Sequence, residues 1–154
     1  MADWVDHATA ELESGRLDAA DSLLALAFAA HPHSPWAHLG AAQVAMRRAR
    51  YDDVRRHLSE MLRWGGTSER CLAYINLGIL DMREGRRADG RASFEAARHE
   101  DLGEPSAYVH LARWQLAAGR PDSAAVILRE GLALAYPTDP VRKALEALGA
   151  RKGL

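Results

Sequence analysis

Four positions frame this chain: Gly15, Ala49, Gly85 and Gly119 recur at spacings of 34, 36 and 34 residues. Each stands between two amphipathic helical patterns. Glycine just past a helix end accepts the left-handed backbone that closes the last turn. An acidic residue follows three of the four, as Asp18, Asp52 or Asp53, and Asp122, where it favours the start of the next helix. A period held this long implies stacked copies of one helix-turn-helix unit.

Other columns keep the same phase. Small residues fall at Ala8, Ala42, Gly78 and Ala112, then at Ala20, Val54, Gly90 and Ala124, and at Ala27, Met61, Ala97 and Gly131. Bulky residues fall at Leu24, Leu58, Phe94 and Leu128, and an aromatic column reads Trp4, His38, Tyr74 and Tyr108. Small residues let helix axes approach and bulky ones fill the space between them. The openings Tyr74-x2-Leu77-Gly78 and Tyr108-x2-Leu111-Ala112, with Gly90-x3-Phe94, Ala124-x3-Leu128 and Ala20-x3-Leu24 followed by Pro32, give the chain its likeness. It resembles the tetratricopeptide repeat (TPR) family over residues 2 to 137.

The resemblance implies an all-α fold: an α-solenoid of four TPR-like helix-turn-helix repeats, near 1-34, 35-68, 71-104 and 105-137, in a single domain. Helices are expected near 2-14, 18-31, 35-48, 52-64, 68-84, 88-101, 105-118 and 122-135. Trp36-x2-Leu39-Gly40 also fits the family opening, two residues ahead of phase. The unshifted register is preferred, because Arg50-Tyr51-Asp52-Asp53-Val54 then aligns with Arg16-Leu17-Asp18-Ala19-Ala20. Two extra residues then fall at Gly65-Gly66-Thr67-Ser68, read as a loop. A capping helix over 139-149 starts at Asp139-Pro140 and stops at Gly149. Its stripe Val141, Ala144, Leu145 and Leu148 can cover the last repeat, with Arg142, Lys143 and Glu146 facing water.

Charge and cysteine content narrow the function. The net charge is -1, so no overall basic field argues for nucleic acid. A lone cysteine, Cys71, allows no internal disulfide and no cysteine-based zinc site. The longest apolar run, Leu23 to Ala30, is shorter than the roughly 20 residues that span a bilayer, and Met1 to Glu11 does not read as a signal peptide. A soluble, cytoplasmic protein is expected.

In the TPR family the first helix of each pair lines a concave groove. The resemblance therefore assigns inner-facing columns: Val5, Leu39, Ile75 and Val109; Thr9, Gln43, Ile79 and Arg113; Ala2, Trp36, Leu72 and Ser106; and Asp6, Gly40, Asn76 and His110, with Arg47 and Arg83 further along. The middle of such a groove is apolar, from Trp36, Leu39, Leu72, Ile75, Ile79 and Val109. Gln43, Asn76, Arg83, His110 and Arg113 would fix orientation and register. An apolar strip with a polar rim suits a peptide or amphipathic helix of a protein partner. The competing reading is that the strip packs against its own neighbours. The lysine column of the chaperone-tail clamp known in the family holds Val5, Leu39, Ile75 and Val109, and only Asn76 matches its asparagine column, which argues against that ligand.

Other residue groups carry less. Arg47, Arg48, Arg50, Arg55, Arg56 and Arg63 crowd the second repeat, and Arg87, Arg91 and Arg98 share one helix. A solvated face balanced by Asp52, Asp53, Glu60, Asp89 and Glu95 outweighs RNA binding, for lack of aromatic interleaving. His31, His33 and His38 lack a carboxylate or cysteine at ligand spacing, so no metal or cofactor is expected. Cys71 reads as a small buried hydrophobe, and Trp114 as packing between repeats. No nucleophile–base constellation or phosphate loop stands out, so an enzyme is not expected. Self-association as a structural scaffold, a homo-oligomer, remains the second reading.

Overall fold

A computed structural model describes residues 3–151 of the chain. Ala2, assigned above to a groove column, lies outside them. Among the described residues there are nine helices and no strands. These are α1 (Trp4–Glu13), α2 (Leu17–Ala30), α3 (Pro35–Arg47), α4 (Tyr51–Trp64), α5 (Thr67–Arg83), α6 (Arg87–Glu100), α7 (Pro105–Ala117), α8 (Pro121–Leu134) and α9 (Asp139–Arg151). The fold is an all-α repeat architecture of the solenoid class. None of these helices is long and apolar enough to cross a membrane.

The period comes from one hydrogen-bonded device, repeated four times. After α1 the Gly15 amide donates to the Leu12 carbonyl and the Arg16 amide to that of Glu11. The same two bonds run from Ala49 to Met46 and Arg50 to Ala45, from Gly85 to Met82 and Arg86 to Asp81, and from Gly119 to Leu116 and Arg120 to Gln115. This is the Schellman closure, which needs a left-handed residue. Gly15, Gly85 and Gly119 supply φ of 76°, 77° and 72°, and Ala49 is held at 55°. The chain re-enters a helix directly after each closure. The helices that follow, α2, α4, α6 and α8, are all 14 residues long. Their acidic residues sit inside the first turn, and the preceding Arg16, Arg50, Arg86 and Arg120 make no side-chain cap.

The unshifted register of the second repeat holds, since α4 begins 34 residues after α2. The extra residues are not a loop, however. Only Gly65 and Gly66 separate α4 from α5, and Thr67 and Ser68 are already helical. The insertion lengthens α5 to 17 residues instead. Gly149 likewise does not end α9, which runs to Arg151. No left-handed closure forms there, so glycine alone is only a weak stop signal.

The chain divides into two compact units, Met1–Ala73 and Tyr74–Leu154. In the first, α1 pairs with α2 and α3 with α4, and α3 also packs on α1 and α2. Its core includes Ala8, Leu12, Ala20, Leu24, Ala27, Ala37 and Val44. Leu24 lies so close to Gly40 that a β-carbon there would stand 2.9 Å from Leu24 Cδ2. Arg48, at the end of α3, reaches both Asp18 and Asp21 of α2.

In the second unit, the end of α5 meets α6 where Gly78 faces Phe94, and α7 meets α8 where Tyr108 faces Gly131. The Tyr108 hydroxyl donates to the Leu102 carbonyl at 2.9 Å. Helix α9 closes this unit over α7 and α8. Val141 and Leu148 are buried against Tyr108, Ala112, Ala125 and Leu128, with Ala144 and Leu145 half-buried beside them. Arg142, Lys143 and Glu146 are exposed as expected.

Candidate functional site

Residues of the columns assigned to a groove come together in each of the two units. In the first unit, α1 and α3 face each other across a cavity of about 650 Å³. Val5 and Leu39 share one column in its wall, Thr9 and Gln43 a second, Asp6 and Gly40 a third, and Trp36 stands at the side. Trp36 is 45% exposed, an unusual state for a side chain that size. Asp3 and Trp4 complete the α1 side. The Asp3 carboxylate accepts the Asp6 amide, and a hydrogen bond between the two carboxyls, followed by the charge of Asp3, raises the Asp6 pKa.

In the second unit, α5 and α7 enclose a cavity of about 420 Å³. Ile79 and Arg113, which share one column of the repeat, line it together with Arg83 and His110. Met82, Phe94, Trp114 and Ala117, none of which falls in an inner-facing column assigned above, provide most of its apolar wall. Phe94 was legible only as a core residue. Its ring does pack in the core, but His110 stacks on it at 4.9 Å and 11°, which carries the ring to the cavity edge. Burial, and then the charge of Arg113, lower the His110 pKa, so the imidazole is neutral near pH 7. The Trp114 indole N–H donates to the Arg87 carbonyl at 3.0 Å. The guanidiniums of Arg91 and Arg120 lie 5.2 and 4.8 Å from its ring centre.

Six assigned residues, Arg47, Leu72, Ile75, Asn76, Ser106 and Val109, stand outside these two cavities. Ile75 is buried, 5% exposed, and so belongs to the core rather than to a groove floor. Its column mates Val5, Leu39 and Val109 are half-buried. Val109 packs against the core of the second unit. Leu72 and Asn76 are half-buried on α5.

The remaining candidates take structural places. Cys71 is buried. His33 stacks on Trp64 at 4.2 Å, and His38 turns away from it, placing its Nδ1 3.1 Å from that of His57. Among the described residues no group of three or more His, Cys, Asp or Glu side chains converges as a metal site. In the Arg-rich second repeat, Arg48 is paired with Asp18 and Asp21, and Arg50 and Arg56 with Asp53. That supports the solvated, balanced face over a nucleic-acid surface there.

Residues 11–73 match the tetratricopeptide repeat family model. No curated protein is similar in sequence. Among solved structures, the chain is similar to TTC0263, a thermophilic TPR protein of Thermus thermophilus. The two are 19% identical, with a TM-score of 0.68 over 97% of this chain and 81% of that one. It is also similar to YrrB, described as a TPR protein with an unusual peptide-binding site, at 15% identity and a TM-score of 0.63 over 97% and 76%. Yeast Tom70 gives 17% identity and a TM-score of 0.77, over 97% of this chain but only 32% of Tom70. At these identities the likeness is one of fold.

Proposed function

This chain carries tetratricopeptide repeats, and from that premise we propose that it is a non-enzymatic interaction module, an adaptor or chaperone of the cytoplasm, that binds a peptide or amphipathic helix of a partner protein. One observation carries the reading. Most of the side chains that come together around the two clefts sit on the first helices of the pairs, α1 and α3 in one unit, α5 and α7 in the other, joined by Ala27 of α2 and Phe94 of α6. Each cleft has an apolar wall and a few polar groups, the composition of a site that gains affinity from apolar burial and register from its rim. Trp36, Leu39 and Gln43 serve the first cleft; Ile79, Arg83, His110 and Arg113 serve the second. The likeness to YrrB, a TPR protein with a peptide-binding site, supports the same reading.

The test is backbone NMR of the chain titrated with short amphipathic helical peptides. Shifts should centre on α1 and α3, or on α5 and α7. Leu39→Asp should remove the first set and Ile79→Asp the second while helicity is retained. Shifts confined to α2, α4, α6 and α8 would place recognition elsewhere. Ile75 is unsuitable as a probe, because an aspartate there would bury an unpaired charge.

Self-association has one observation in its favour. Val126, Leu134 and Tyr136 of the second unit are 61%, 49% and 87% exposed, outside either cleft. Light scattering across a concentration series tests it: a mass that stays monomeric removes this reading.

A further inference from the structure

The charge around the second cleft points to the chemistry of its occupant. Several arginines elsewhere are matched: Arg16 with Glu11, Arg48 with Asp18 and Asp21, Arg98 with Glu95 and Glu130, Arg142 with Asp139. Three beside the second cleft are not. Arg83 and Arg113 line the cleft and Arg120 lies over the indole, and among the described residues none of these three has a carboxylate partner. No carboxylate lines the cleft. The nearby acids are engaged: Glu84 and Asp89 with Arg86, and Glu95 with Arg91 and Arg98. Guanidiniums gathered at the edge of an apolar hollow repel one another unless an anion joins them.

We propose that this cleft binds a partner-protein segment in which carboxylate side chains alternate with apolar ones, the apolar groups entering between Ile79, Met82 and Phe94 and the carboxylates meeting Arg83 and Arg113. The proposal rests on the interaction-module reading and names the partner class for one of its two sites. Two features favour a protein over a nucleic acid. Base stacking needs an open aromatic face, whereas the Trp114 ring already has Arg91 and Arg120 stacked on it. The wall between the arginines is apolar, which suits a side chain better than a phosphate backbone. The first cleft has the opposite rim, Asp3 and Asp6, and so acts as an internal control.

The experiment uses the full chain and three synthetic helical peptides with identical leucine positions, whose polar positions are all Glu, all Gln or all Lys. NMR shifts at Ile79, Arg83, Arg113 and Trp114 report the second cleft. The Glu peptide should bind there at least several-fold more tightly than the Gln peptide. Its affinity should drop about 3- to 10-fold in the Arg83→Gln, Arg113→Gln double variant, as expected for two partly screened ion pairs, and fall with added salt. Both arginines are exposed, so the variant should fold, and the unchanged spectrum of the rest of the chain checks this. Equal binding of all three peptides at this cleft, or preference for the Lys peptide, overturns the proposal and leaves the interaction-module reading standing. A single-stranded oligonucleotide that shifts these residues more strongly than the Glu peptide also overturns it. Failure of every peptide to shift either cleft overturns both.

Discussion

A β-carbon on Gly78 would stand 2.4 Å from Cε1 of Phe94, inside the distance any carbon pair tolerates. The small-residue column therefore exists because the ring from α6 lies directly on the α5 backbone. Phe94 cannot retreat easily, since it is buried and His110 stacks on it. Alanine would gain up to about 1 kcal/mol of helix propensity at Gly78, but overpacking costs about 1–3 kcal/mol. Gly78→Ala should lower stability by about 1–2 kcal/mol in chemical denaturation, and adding Phe94→Leu should restore part of the loss. A more stable Gly78→Ala protein would contradict the packing described.

Ala49 gives the opposite prediction. It holds a left-handed φ of 55° where the other three repeats have glycine. That conformation costs an L-residue roughly 1–2 kcal/mol, partly offset by the greater freedom glycine loses on folding. Ala49→Gly should raise stability by up to about 1 kcal/mol, and Gly85→Ala should lower it by about the same amount. Thermal or urea unfolding of the pair of variants reads both signs.

The closure after α5 also carries a buried charge. Asp81 is 4% exposed, and Arg86 donates to it through both Nε and Nη2, at 3.2 and 3.0 Å. Truncating Arg86 leaves that carboxylate short of its cation; because Arg86 is itself partly in water, the loss should be about 1–2 kcal/mol rather than the full cost of a buried pair. Arg142→Ala, which breaks an exposed pair with Asp139, should cost no more than about 0.5 kcal/mol. Equal effects in the two variants would mean that burial of Asp81 does not matter.

Three histidines set a pH dependence. Burial is the leading cause that lowers the pKa of His38, His57 and His110; Arg56 adds to it for His57 and Arg113 for His110. The folded protein therefore keeps these rings neutral where the unfolded chain has begun to bind protons. The stability they contribute is complete above the ordinary value of 6.5 and is lost as pH falls below it. The Nδ1 atoms of His38 and His57, 3.1 Å apart, add a reason: one must accept, and protonating both sets two N–H groups face to face. The urea midpoint should drop between pH 7.5 and 5.5, and the drop should shrink in His57→Leu. A midpoint that is flat or rises toward acid would contradict this.

Much of the fold could be read from the chain because each repeat uses the same closure and the same small-against-large contact, and both leave fixed spacings. Gly15, Gly85 and Gly119 mark the closures; Leu24, Leu58, Phe94 and Leu128, all 2% exposed or less, mark the contact. Where a residue's place depends on more than phase, spacing was not enough. Ile75 shares a column with Leu39 yet is buried, since that column lies at the edge of the inward arc, where core and cleft wall differ by a small rotation. Thr67 and Ser68 read as loop but form the first two residues of α5, since polar residues are compatible with a helix start and helix ends are the part of an element that spacing fixes least. Met82 and Trp114 belong to the second cleft although neither shares a column with the other residues singled out.

The central claim is that recognition uses the first helices of the pairs, and site-specific photo-crosslinking tests it most directly. A photoreactive residue in place of Leu39 or Arg113, facing the clefts, and of exposed Arg129 on α8 as control, would be activated in the cell of origin. Mass spectrometry should then find one and the same partner protein joined at 39 or 113 and absent at 129. Crosslinks to a partner at 129 alone would contradict the account, as would crosslinks at 39 and 113 only to other residues of this chain.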